Sequence, residues 1–149
     1  MVPTATNTAP DLLTSLGFSG LVRFDAVDWE AIPAQPGVYA VFDREECLYV
    51  GMAGRDGAGT LRKRLRDHST GQVVNMFAQY LFLARVQFLS EERITHPRAA
   101  KVACRGYIVE RCSFRYLVVG TAAEARTLEG RLKQELSPAL NGSGSAPDP

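Results

Sequence analysis

The chain has 149 residues, 46% of them hydrophobic and 22% charged, with a formal net charge of +1. That size and balance predict one globular domain that needs no disulfide or metal staple, and no run approaches the roughly 18 apolar residues of a membrane span. The first ten residues lack the basic flank and apolar core of a secretory leader, and Cys47, Cys104 and Cys112 form no C-x-x-C pair, so the expectation is a cytoplasmic protein with reduced, partly buried thiols. Charge is unevenly spread. Up to Glu46 there are two basic and seven acidic residues, net −5; from Cys47 onward there are fifteen and nine, net +6. A near-neutral mean thus hides a basic half, which suits a negatively charged partner; a solvated surface of mixed charge is the plainer alternative.

Residues 1–10 are small, polar and proline-containing, and 142–149 (GSGSAPDP) form a Gly/Ser/Pro tail. Both are expected to be flexible, leaving a single domain over 11–141. Residues 11–16 predict a short helix capped by Asp11, and 21–24 a short extended piece before the Pro33 and Pro36 turn signals. Two runs follow, GVYAVF and CLYVG, whose β-branched and aromatic content predicts a hairpin with a three-residue loop at 43–45. In that register Phe42 opposes Glu46 and Tyr39 opposes Tyr49, so the two phenols share one face of the sheet. An aromatic packing pair would by itself explain them.

After a glycine-rich loop, Thr60 caps a helix through His68. Leu61 and Leu65 define its buried stripe, Arg64 and His68 lie beside that stripe, and Arg62, Lys63 and Arg66 point away. Residues 72–89 read as a core helix to about Leu83 followed by a strand to Leu89. Residues 98–111 predict a helix turning Lys101, Arg105 and Arg111 to solvent, and 114–119 (FRYLVV) a strand. The last helix, 122–136, buries Ala125, Leu128, Leu132 and Leu136 and stops at Ser137-Pro138. Its phase puts Glu129 and Glu135 on opposite flanks of that stripe and does not choose between them. The fold class is therefore α+β, a small central three-stranded antiparallel sheet flanked by helices.

GVY, YVG after nine intervening residues, a helix reading LRKRLRDH, and a distant helix with Glu129 followed by Pro-x-x-Asn stand here in order. Together they resemble a GIY-YIG nuclease module over 37–68 and 114–141, with 69–113 as a helical insertion. The resemblance implies that Tyr39 and Tyr49 are the motif tyrosines, Arg64 the catalytic arginine, Glu129 the ligand of one Mg²⁺ or Mn²⁺ ion, and Asn141 the terminal asparagine. His68 matches a histidine of the homing and restriction branches. Valine replaces isoleucine in both triplets, and Met52 stands where the repair branch has lysine.

The implied activity is metal-dependent endonucleolytic cleavage of DNA. Phosphodiester hydrolysis needs a deprotonated nucleophile and compensation of charge on the phosphoryl oxygens. Arg64 offers a planar cation matched to phosphate, Glu129 a hard oxygen ligand, and Tyr39 a base toward water, with Tyr49 or His68 orienting it or taking its proton. Arg62, Lys63 and Arg66 are the expected DNA-binding cations, and six basic residues within 69–113 extend them. A noncatalytic nucleic-acid-binding module of the same fold is the alternative. A more distant one is a Cys/His hydrolase using Cys47 on the Tyr49 face of its strand. The glycine-rich loop lacks the Lys-Ser/Thr ending of a P-loop, and His96, Cys104 and Cys112 lack metal-ligand spacing.

Overall fold

The two motif runs form the middle and one edge of an antiparallel sheet. In the computed structural model, which describes residues 9–54, 59–72 and 75–141, β2 (Gly37–Asp43) pairs with β3 (Glu46–Ala53) on one side. On its other side β2 pairs with β4 (Cys112–Val118). A two-residue strand, β1 (Val22–Arg23), pairs with Phe114 and Ser113 beyond it, giving the order β1-β4-β2-β3. The expected α+β architecture with a helix-flanked antiparallel sheet is thus present with four strands rather than three. The extra strand is the extended piece read at 21–24, too short to announce itself by alternation.

Helices α1 (Ala9–Ser15) and α5 (Ala122–Leu136) cover one face, while α2 (Leu61–Ser69), α3 (Met76–Ala84) and α4 (Pro97–Arg111) cover the other. All seven residues of β2 are consequently buried. Val38, Ala40 and Phe42 pack with Leu13, Ala125 and Leu132, whereas Tyr39 and Val41 pack with Leu61, Leu65, Phe77 and Ile108. A strand sandwiched on both sides shows no polar alternation. Helix α1 starts at Ala9, ahead of the Asp11 cap expected for it; the tails 1–8 and 142–149 lie outside the described residues.

The hairpin differs from its expected register. Asp43 pairs with Glu46, so the loop is two residues, with Arg44 in the left-handed region at φ 57°. Pairing then shifts between Val41 and Phe42, leaving Leu48 as an extra residue in β3. Beyond this bulge Tyr49 opposes Val41, and Tyr39 opposes Gly51. The bulge restores what the wrong loop length would have lost, because Tyr39 and Tyr49 still share a face, with ring centroids 6.4 Å apart. It also sends Cys47 to the opposite core, away from Tyr49, where burial pushes its thiol up to about 12.

Residues 86–88 form a single 3₁₀ turn rather than the expected strand. A short apolar run does not distinguish the two, and the open edge of β3 is taken by residues just past α5. Ala139 N donates to Cys47 O at 3.2 Å and Leu140 N to Leu48 O at 2.7 Å. On the far side, Asp43 is buried beneath α4. Tyr107 of α4 donates to its Oδ2, and Arg111 lies 3.2 Å from the same oxygen.

Candidate active site

Each side chain is placed by a local feature of the sequence. Thr60 caps α2 by accepting from Lys63 N at 3.1 Å, and the phase this sets buries Leu61, Leu65 and His68 in one row. Gly51 lets the Tyr39 ring cross β3, since a Cβ there would lie 2.5 Å from the phenol oxygen. The phenol thereby reaches His68, with Tyr39 Oη 2.6 Å from Nε2. His68 Nδ1 has no hydrogen-bond partner among the described residues.

Tyr49 and Phe77 close the site. Phe77 lies 5.3 Å from Tyr49 and 5.2 Å from His68 between ring centroids, and Tyr49 meets His68 edge-on at 5.7 Å. Phe77 was not singled out in the sequence, where it is one apolar residue in a dense run. Its usable signal was Asn75 just before it, which caps α3 by accepting from Ala78 N at 2.8 Å and so fixes the phase that points Phe77 inward.

Burial sets the protonation states of the pair. It lowers His68 to about 4, assisted by the charge of Arg64 and opposed by Asn75 and Asp67. The imidazole is therefore neutral near pH 7, and with its proton on Nδ1 it accepts the Tyr39 hydroxyl through Nε2. Burial also holds the Tyr39 phenol well above its ordinary range. Tyr49 and Glu129 push it in the same direction, and Arg64 pulls it down. Arg64 is exposed, yet near enough to act on both members of the pair.

Helix phase left Glu129 and Glu135 undecided, and burial separates them. Glu129 is 6% exposed, with Lys133 Nζ 3.5 Å from its Oε2; Glu135 is exposed and bound to Arg131 at 2.6 Å. Asn141 is buried against β3, where its Oδ1 accepts from Val50 N at 2.7 Å and its Nδ2 donates to Val50 O at 2.8 Å. It imitates a strand partner rather than capping α5. Of the three expected DNA-facing cations, Arg62 is turned onto Ile32 O at 2.9 Å and Glu30 O at 3.2 Å. Lys63 pairs with Asp67 at 3.1 Å, and Arg66 is exposed.

The described residues contain no group of three or more His, Cys, Asp or Glu side chains able to hold a metal as a protein cage. What remains is the buried Glu129 carboxylate, whose charge, like that of Arg64, acts on the Tyr39 phenol. Such a donor set fits a hard, hydrated divalent ion that takes one protein oxygen and completes its shell with water and phosphate. The thiols offer no competing chemistry, because burial pushes Cys104 to about 11 and Cys112 to about 12.

Among solved structures, several resemble this chain. The chain is similar to a GIY-YIG domain. One match is the N-terminal endonuclease domain of UvrC from Thermotoga maritima bound to magnesium as its catalytic divalent cation, at 20% identity and TM-score 0.42, covering 76% of this chain and 91% of that one. Two tyrosine-to-phenylalanine mutants of that domain match at 19% identity and TM-score 0.42, covering 76% and 91%, and at 21% identity and TM-score 0.41, covering 76% and 90%. No family model and no curated protein matches the chain.

Proposed function

We propose that the chain is a divalent-cation-dependent endonuclease that hydrolyses DNA phosphodiester bonds at one site formed by Tyr39, Tyr49, Arg64, His68 and Glu129, with Asn141 as a positioning residue. The observation that carries this reading is the buried Tyr39–His68 hydrogen bond, acted on by a guanidinium on one element and a carboxylate on another. A packing pair needs neither the histidine nor the charges.

At rest Tyr39 is a neutral donor to a neutral imidazole, and its oxygen keeps lone pairs for a water proton. A phosphodiester bound at Arg64 neutralises the cation that disfavours protonation of His68. Substrate binding thereby makes His68 a better acceptor at the moment it is needed. As the water oxygen bonds to phosphorus, its proton passes to Tyr39 and the phenol proton to His68 Nε2; the phosphorus–ester oxygen bond breaks and the departing oxygen is protonated from solvent. Arg64 binds the phosphoryl oxygens, and Tyr49 and Phe77 hold the ring geometry and keep bulk water from the relay. Glu129 would hold Mg²⁺ or Mn²⁺, which supplies Lewis-acid stabilisation of the charge on phosphate and leaving oxygen.

Linear, nicked, branched and single-stranded DNA incubated with the chain in Mg²⁺, Mn²⁺ or EDTA tests this reading. Cleavage is expected with either ion and not with EDTA, and Glu129→Gln is expected to nearly abolish it while DNA binding persists. Full rate in Glu129→Gln at saturating Mg²⁺ would remove Glu129 from the site. Binding without cleavage in the parent would leave a noncatalytic module.

A further inference from the structure

A second cleft lies on the outer side of α2. It measures about 390 Å³ and is lined by Trp29, Arg66, Ser69, Thr70, Lys101 and Arg105. Three cations from two helices converge on it, and none has an ion pair among the described residues. Of the carboxylates flanking Trp29 and Arg66 in sequence, Asp28 accepts from Glu30 N at 3.1 Å, Glu30 lies 3.9 Å from Arg62, and Asp67 lies 3.1 Å from Lys63. Isolated surface cations are ordinary; three sharing one cleft with a tryptophan and no counter-charge are the composition of a site for an anion carrying a planar ring.

Both walls are fixed. Arg62 ties the turn that carries Trp29 to α2 through Ile32 O and Glu30 O. Trp29 itself stacks on Phe114, with ring centroids 6.1 Å apart and planes 5° from parallel, and remains half-exposed. At the other end Gly71, at φ 75°, presses on α4 so closely that a Cβ would lie 2.6 Å from both Lys101 O and Arg105 N. That contact clamps the end of α2 onto α4 and brings Arg66 to Lys101 and Arg105. A cleft rigid before binding loses little entropy when filled.

We infer that this cleft holds one nucleotide of a nucleic-acid strand outside the scissile position, its phosphate among Arg66, Lys101 and Arg105 and its base against Trp29. The choice of nucleic acid rests on the nuclease reading; the anionic, ring-bearing character of the ligand does not. Helix α2 then serves two contacts with one strand, turning His68 to the active site and Arg66 to the cleft. Stacking on an aromatic face tolerates any base, so this contact holds the strand without reading its sequence.

Trp29 is the chain's sole tryptophan and reports on the cleft directly. The Glu129→Gln protein, which is expected to bind without cutting, is titrated with oligothymidylate while tryptophan emission and the anisotropy of labelled oligomer are recorded. Saturable quenching is expected, and an abasic oligomer of equal length is expected to bind without comparable quenching. Lys101→Gln with Arg105→Gln is expected to weaken oligothymidylate binding about tenfold or more and to flatten the log affinity–log salt slope by up to about 0.7, the one phosphate contact of a single strand. Circular dichroism monitors folding, and Arg105→Gln alone is expected to flatten the slope by less than the double variant does. Bound oligomer without quenching, equal quenching by the abasic strand, or an unchanged slope in the variants overturns the inference. A parent that cleaves DNA with a silent Trp29 sinks the cleft and keeps the nuclease; a responding Trp29 in a parent that never cleaves does the reverse.

Discussion

Tyr39 and His68 form a pair whose two members are each disfavoured in the charged state by burial, so neither carries charge until a substrate alters the field. Two measurements isolate this. Tyr39→Phe keeps the ring beside Tyr49 and Phe77 and removes only the proton carrier, so cleavage is expected to fall by roughly 10²–10⁴-fold with the fold retained; full rate across pH in a folded Tyr39→Phe would return the phenol to a packing role. The second measurement is stability against pH. His68 titrates at about 4 in the fold against 6.5 when exposed. Between those values the unfolded chain binds the additional proton, so this contribution is intact above about pH 6.5 and is lost as pH falls toward 4, by up to about 3 kcal/mol. Urea midpoints at pH 7.5 and 4.5 are expected to differ more in the parent than in His68→Gln; equal differences would mean that the imidazole is not held neutral by the core.

At the scale of elements, β3 is an edge strand made safe from one end of the chain. Residues 139–141 pair with Cys47 and Leu48 through backbone and with Val50 through the Asn141 amide. Asn141→Ala strips Val50 of both partners and is expected to cost about 1–3 kcal/mol and to lower cleavage through the shifted strand, readable as a lower thermal midpoint with reduced rate. An unchanged midpoint would deny the clip. Much of this architecture was legible: the hairpin, the Thr60-capped helix, the last helix and the shared face of Tyr39 and Tyr49 follow from local propensity and period. The register was not. A two-residue loop and a bulge at Leu48 compensate one another, and only β4 and the helices packed on both faces select that solution. Glu129 over Glu135 likewise needed tertiary burial, and Phe77 needed the cap that phases α3. Arg62 shows the converse: helical phase turned it outward, but the backbone carbonyls of Ile32 and Glu30 hold it.

Over the whole molecule, the net +6 carried from Cys47 onward overstates the charge available to DNA. Arg85 binds Glu46 at 2.7 Å, Arg111 binds Asp43, and Arg131 binds Glu135; Arg62 and Lys63 are engaged on α2 itself. Among the described residues, the cations of α2 and α4 that are exposed and without an ion pair include Arg64, Arg66 and Arg105, with the half-buried Lys101 beside them. Counterion release counts phosphate contacts rather than formal charge, so the salt dependence of binding is expected to reflect this small set. With the Glu129→Gln protein and duplex DNA, log affinity is expected to fall linearly with log salt between about 50 and 200 mM, and Arg66→Gln to flatten the slope by no more than about 0.9, the value of one phosphate contact. Lys63→Gln is expected to change it less, because the lost cation also frees Asp67. A flat salt dependence in the parent would remove the electrostatic footprint and point to a ligand other than nucleic acid. Equal effects of Arg66→Gln and Lys63→Gln would mean that formal charge, rather than its placement along α2 and α4, governs how this molecule meets a phosphate backbone.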